Sequence, residues 1–210
     1  AVLPLRTTDV TVRFFGRPAV DHVSVEVKQG EVVGLIGTNG AGKSTFMNAV
    51  SGFLPCTGSI EVFGKDVASL PAHQRARLGM GRAFQNARLF GALTARETIM
   101  TALESRQRSM LVPSMLSLPP SPVHERRKRR EADEIMAWLG LGRYADNHLS
   151  ELSTGTRRIV ELASLIALDA KLLLLDEPTA GVAQKETEAF GPLIKAVQAQ
   201  SKNAISAVER

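Results

Sequence analysis

A chain of 210 residues, 44% apolar and 22% charged, suits one ordinary domain with room for a grafted subdomain, and it excludes disordered and fibrous classes. One cysteine, Cys56, excludes an internal disulfide and fits a reducing compartment; no run reaches the roughly 20 apolar residues of a spanning helix. The opening AVLPLRTTDV lacks the regions of a signal peptide, so a soluble chain is expected, and a net charge of +5 admits nucleotide, nucleic acid or anionic lipid without selecting among them.

TVRFF (11–15) and VSVEV (23–27) read as strands around a turn at Gly16 and Pro18. EVVGLIG (31–37) is a short apolar run entering a glycine cluster, as a buried strand does, and the helical pattern from Lys43 stops at Gly52. SIEVFGKDV (59–67) reads as strand with a turn at Gly64-Lys65. Residues 94–108 open with Thr94 and Glu97 at capping-box spacing. Residues 109–123 carry Pro113, Pro119, Pro120 and Pro122 and read as a loop. Residues 124–141 return to helix, with Ile135, Trp138 and Leu139 on one stripe. Helix over 153–168, strand over 171–178, helix over 184–200 kinked at Gly191-Pro192 and strand over 203–210 complete the pattern. Strands alternating with helices predict an α/β fold with a largely parallel sheet.

The strongest motif is Gly37-Thr38-Asn39-Gly40-Ala41-Gly42-Lys43-Ser44, which fits G-x-x-x-x-G-K-[ST] between a strand and a helix. Its glycines let the backbone curl so that successive N–H groups face phosphate oxygens, and the helix adds its positive end. Lys43 is placed to reach β- and γ-phosphates and Ser44 to ligate Mg²⁺. LLLLD (172–176) supplies the second acid: Asp176 to hold Mg²⁺ through water, and Glu177 to polarise the attacking water.

A loop and an acid do not distinguish kinase, GTPase and ATPase. LSTG (152–155) opens a helix ahead of Glu177, and Gln85 sits in GRAFQNARLF between the two nucleotide motifs. With these residues the chain resembles the ATP-binding cassette (ABC) ATPases of membrane transporters over nearly its whole length, and most of all the ATPase subunits of branched-chain amino acid importers. The resemblance implies a P-loop NTPase (RecA-like) core with an antiparallel β subdomain, over about 1–84 and 156–210, and an inserted helical subdomain over about 85–155. It implies ATP and Mg²⁺ as ligands, with Asn39, Gly40, Ala41, Gly42, Lys43, Ser44 and Thr45 around the phosphates and Ser44, Gln85 and Asp176 around the metal. Phe14, or else Phe15, resembles the aromatic that stacks on adenine; the alternative is that both are core. Ser153 and Gly155 resemble the signature residues that face the γ-phosphate of an opposite subunit; the alternative for Ser153 is an ordinary N-cap. A head-to-tail pair with a second ABC ATPase, permease subunits in the membrane and, indirectly, a solute-binding protein follow as partners, on the cytoplasmic face of the membrane.

Several positions depart from that pattern. The glutamine of the usual signature is Thr156, the arginine usual three residues after Glu161 is Ser164, and the polar residue expected beyond Glu177 is Ala183. The switch histidine falls on Arg210, which either replaces it or is simply where the chain stops; cassettes of this kind continue further, so a chain truncated at its C-terminal end is expected. An arginine contacts γ-phosphate but cannot shuttle a proton, so slow hydrolysis is expected where Arg210 is the natural residue. A catalytically impaired regulatory subunit and a soluble cassette acting on nucleic acid or ribosomes stay open as alternatives. The run Arg126–Arg130 reads either as a site for anionic polymer or lipid or as a solvated helix face; without interleaved aromatics nucleic acid is disfavoured. The four histidines, His22, His73, His124 and His148, show no metal-ligand spacing.

Overall fold

The computed structural model describes residues 2–38, 40–83, 91–108, 122–176 and 204–209. In chain order they form β1 (Leu5–Phe14), β2 (Arg17–Val27), β3 (Val32–Ile36), α1 (Lys43–Val50), β4 (Thr57–Val62), β5 (Lys65–Asp66), α2 (Ala72–Arg77), β6 (Met80–Ala83), α3 (Ala95–Arg108), α4 (Pro122–Trp138), α5 (Thr154–Ala167), β7 (Leu172–Asp176) and β8 (Ala204–Glu209). They divide into two compact units, one holding all the strands with α1 and α2, the other α3, α4 and α5.

The first unit contains two sheets. One runs β2-β1-β4-β5 and is antiparallel; the other runs β3-β8-β7-β6 and is parallel. The α/β class expected from the alternating pattern is therefore present. Helix α1 buries Phe46, Met47, Ala49 and Val50 in a core with Leu5, Val10, Val12 and Ile60 of the antiparallel sheet and Leu172 and Leu174 of β7. Burying an apolar side chain of the larger kind stabilises by about 1.5–3 kcal/mol, so α1 is held by its last five residues and its start is left for other work.

The first hairpin is longer than its sequence suggests. Strand β1 starts at Leu5, and register shifts between Thr7 and Val10, with Asp9 at φ 51, interrupt the alternation that would have announced it. Phe15 is not a strand residue. It sits with Gly16 in a two-residue turn, at φ 49 and φ 81, the left-handed pair that matches the twist of a tight hairpin. Pro18, expected in the turn, lies in β2 opposite Arg13.

Helix α2 and strand β6 were not foreseen. Both are short, and their sequence signals are a buried arginine and a glycine rather than an apolar period. Arg75 of α2 is 2% exposed. It donates to Ala49 O and Val50 O at the end of α1, and to Leu70 O and Ala68 O. Four carbonyls thus satisfy one buried guanidinium, and burial pulls its pKa below the ordinary arginine value.

In the second unit, Thr94 and Glu97 close the expected capping box: Glu97 N donates to Thr94 Oγ1 at 3.2 Å and Thr94 N to Glu97 Oε2 at 2.8 Å. The bond from Thr94 N, together with the Thr94 hydroxyl, holds the Glu97 carboxyl below the usual range. Helix α4 begins at Pro122, two residues before the expected start, because proline suits the first turn of a helix. Its buried stripe is Ala132, Met136 and Leu139; Trp138, expected on that stripe, is 38% exposed. Helix α5 groups with α3 and α4 in this unit. Of the expected loop over 109–123, residues 109–121 lie outside the described residues, as does the expected helix over 184–200.

Candidate nucleotide site

Strand β3 ends at Ile36 and the glycine loop follows directly, leading into α1 at Lys43. Gly42 is the N-cap residue, at φ 83 and ψ 6, and no side chain caps the helix. A Cβ at Gly42 would lie 2.1 Å from Ala19 O and 3.3 Å from Val20 Cγ2, so the position demands glycine by conformation and by space. The first turn of α1 contains no acid. The combination leaves the positive end of a helix, and backbone amides without a side-chain cap, beneath a tight loop.

Lys43 Nζ donates to Gly37 O at 2.5 Å and to Thr38 O at 3.1 Å. The ammonium is thus folded over the loop's own carbonyls, at the place where a phosphate chain would lie. Ala41 N donates to Thr38 O at 3.1 Å, which closes the turn.

The parallel sheet brings the second motif alongside. Ile36 pairs with Glu209 on β8, and Val208 of β8 pairs with Asp176 on β7. The three strands therefore end level, with Asp176 two strands from the loop, roughly 10 Å at ordinary strand spacing. Ligands of open parallel sheets bind at this carboxyl edge. Asn39, Gln85, Glu177, Ala183 and Arg210 lie outside the described residues.

The aromatic candidates are both on the hairpin tip and neither is core. Phe14 is 44% exposed and Phe15 is wholly exposed. Phe14 pairs with Arg17, two residues along β2 from Ala19, whose carbonyl abuts Gly42. That is about 7 Å of strand, the order of a phosphate chain's reach from loop to base.

In the second unit Ser153 is the N-cap of α5. Its Oγ accepts from Thr156 N at 3.1 Å and lies 2.9 Å from Thr156 Oγ1. Gly155 and Thr156 are buried. The threonine standing where the resemblance implies glutamine thus turns inward and bonds the signature serine. One turn on, burial lifts the Glu161 carboxyl to about 7, against the opposing charges of Arg158 and Arg157. Its Oε2 has no hydrogen-bond partner and lies 3.6 Å from Arg158 Nη1.

One polar bridge was not anticipated. Arg82 of β6 donates to Asn48 Oδ1 at 2.7 Å and to Ser51 Oγ at 3.2 Å, and its Cζ sits 5.7 Å from the Phe53 ring centroid. It ties α1 to the strand that leads toward Gln85; its place in GRAFQ was the only available signal.

A glycine loop curled between a parallel strand and an uncapped helix, level with an acid two strands away, defines a P-loop nucleotide-binding fold. Residues 20–180 match the model of the ABC transporter family. The chain is 34% identical over 209 residues to the high-affinity branched-chain amino acid transport ATP-binding protein LivG of Salmonella typhimurium, covering 98% of this chain and 81% of that protein. It is 35% identical to its counterpart BraF of Pseudomonas aeruginosa, with the same coverage. The lipopolysaccharide export system ATP-binding protein LptB of Haemophilus influenzae matches at 37% over 179 residues, 85% of this chain and 68% of that one. Among solved structures, the ADP conformation of MJ1267, an ATP-binding cassette of an ABC transporter, superposes with a TM-score of 0.82 at 25% identity, covering all of this chain and 82% of that one. The chain belongs to the ABC transporter family and is its ATP-binding ATPase component.

Proposed function

We propose that this protein binds and hydrolyses MgATP to drive a membrane importer for branched-chain amino acids or similar small polar solutes. The observation that carries the reading is the Gly37–Ser44 loop, with Gly42 at φ 83 against Ala19 O and Lys43 folded over the loop carbonyls. The relatives named for branched-chain amino acid transport support the choice of solute.

In this reading Lys43 exchanges the Gly37 and Thr38 carbonyls for β- and γ-phosphate oxygens, and the amides from Gly40 to Thr45 hold the rest of the chain. Phe14 packs against the adenine. Ser44, Asp176 and Gln85 would hold Mg²⁺, which suits an all-oxygen donor set. When bound, the ion would supply charge neutralisation to the phosphates. Glu177 orients the attacking water, and Arg210 stabilises the developing charge. Ser153 and Gly155 serve the nucleotide of an opposing subunit, so the working unit is a head-to-tail pair docked on permease subunits at the cytoplasmic face of the membrane, with a solute-binding protein as an indirect partner.

A second reading rests on Thr156. Because its amide and hydroxyl both engage Ser153 Oγ, that serine is already committed within its own subunit. This favours a regulatory subunit that clamps ATP slowly beside a more active sister. The deciding experiment measures ATP binding and phosphate release for this chain alone and mixed with a sister ATPase. Turnover alone supports the catalytic reading; binding with turnover only in the mixture supports the regulatory one.

A further inference from the structure

We infer that the outer face of α4 is a docking surface for an anionic lipid bilayer. Arg126, Arg127, Arg129 and Arg130 are all exposed. Arg126, Arg127 and Arg130 lie on the part of the helix turned away from the buried stripe of Ala132, Met136 and Leu139, and Arg129 flanks that stripe. Arg126, Arg129 and Arg130 line one shallow groove with Asp133, Glu134 and Ala137.

The same helix has acids that ought to neutralise this run, but its neighbours draw them off. Asp133 is 2.7 Å from Arg96 Nε and Glu131 is 3.6 Å from Arg106, both on α3. Lys128, the one cation of the run that turns inward, is 3.9 Å from Glu104 of α3. Among the described residues the four arginines make no ion pair, and only Glu125 and Glu134 remain to offset them on the helix.

The arrangement works against the helix itself. Arg126 and Arg130 are four apart, and Arg126–Arg129 and Arg127–Arg130 are three apart, spacings at which like charges destabilise. A face built at a cost to its own helix is suited to a polyanion outside the molecule. The basic run has no interleaved aromatics of the kind that stack on bases, which favours a bilayer with anionic headgroups over nucleic acid. Membership of a transporter family puts such a surface within reach.

The test is vesicle co-sedimentation of the full chain. Binding is expected to vesicles of phosphatidylcholine with about one third phosphatidylglycerol, to be absent from phosphatidylcholine alone, and to be lost as salt rises from about 0.05 M to about 0.5 M. Replacing Arg126, Arg127 and Arg130 together by Gln should weaken binding about a hundredfold, and replacing all three by Lys should retain it. Should the triple Gln variant fail to fold, each single Arg→Gln change should cost about fivefold. Equal binding to neutral vesicles, unchanged binding by the Gln variants, or tighter binding to a single-stranded oligonucleotide than to the anionic vesicles would overturn the inference. None of these outcomes bears on ATP binding by the first unit.

Discussion

Arg82 Nη1 donates to Asn48 Oδ1 at 2.7 Å, which fastens the strand leading toward Gln85 to the helix that begins at Lys43. Hydrogen bonds from a charged donor contribute about 1.5–3 kcal/mol, and removing one partner of a coupled pair leaves the other unsatisfied. Arg82→Ala and Asn48→Ala should each lower the melting temperature by several degrees, about 2–4 °C per kcal/mol for a chain of this size. The double variant should lose less than the sum, with a coupling of about 0.5–3 kcal/mol. Differential scanning calorimetry of the four proteins checks this, and strict additivity would dissociate the pair.

Gly42→Ala is predicted to remove nucleotide binding even where the chain still folds. The added Cβ would lie 2.1 Å from Ala19 O at a φ of 83, so the loop must shift and the amides at the head of α1 must turn. Gly40→Ala, also at positive φ but with nothing within 4 Å of the added atom, should weaken binding less. Fluorescent ATP-analogue titration of both variants reads the difference.

The architecture of the site was legible to different depths. The loop, its flanking strand and helix, and the acid at the end of β7 follow from short apolar runs entering glycine or acid, where local chemistry and topology agree. Thr94, Glu97 and Ser153 were legible as caps for the same reason. Arg75 and Arg82 were not, because a buried arginine is specified by carbonyls and amides that only the fold assembles. Nor was the inward turn of Thr156, since replacing glutamine by threonine reads as a lost contact until its hydroxyl is found 2.9 Å from Ser153 Oγ. On α4, the stripe drawn through Ile135, Trp138 and Leu139 is buried at Leu139 but not at Trp138, because the buried face runs through Ala132, Met136 and Leu139.

Ser153→Ala should show two separable effects. Loss of the N-cap costs about 1 kcal/mol of stability, read by urea unfolding. If the serine also serves an opposing nucleotide, turnover of the paired ATPases should fall well beyond what the lost stability explains. Thr156→Gln removes the hydroxyl contact to Ser153 Oγ while the bond from the residue 156 amide remains, and it should raise turnover; no change would leave Ser153 a capping residue alone.

The Glu161 carboxyl, lifted to about 7 by burial, makes stability depend on pH in a definite direction. The folded pKa stands above the ordinary glutamate value of 4.5, so folding takes up a proton. This contribution is fully present below 4.5 and is lost as pH rises through about 7. From pH 5 to pH 8 the wild type should lose about 1–3 kcal/mol relative to Glu161→Gln, which carries no such titration. Urea unfolding of both proteins at the two pH values tests the sign; a difference that is flat or opposite would contradict it.

The central claim is that the loop beneath Lys43 holds the phosphates of ATP, and the most direct test is equilibrium binding of MgATP to the wild type and to Lys43→Ala. Lys43 Nζ, now 2.5 Å from Gly37 O, is placed to transfer its bonds to phosphate oxygens. The wild type should bind with saturation, and the variant about 10- to 100-fold more weakly while unfolding at a similar temperature. A wild type that does not bind MgATP, or a variant that binds it equally well, would contradict the account.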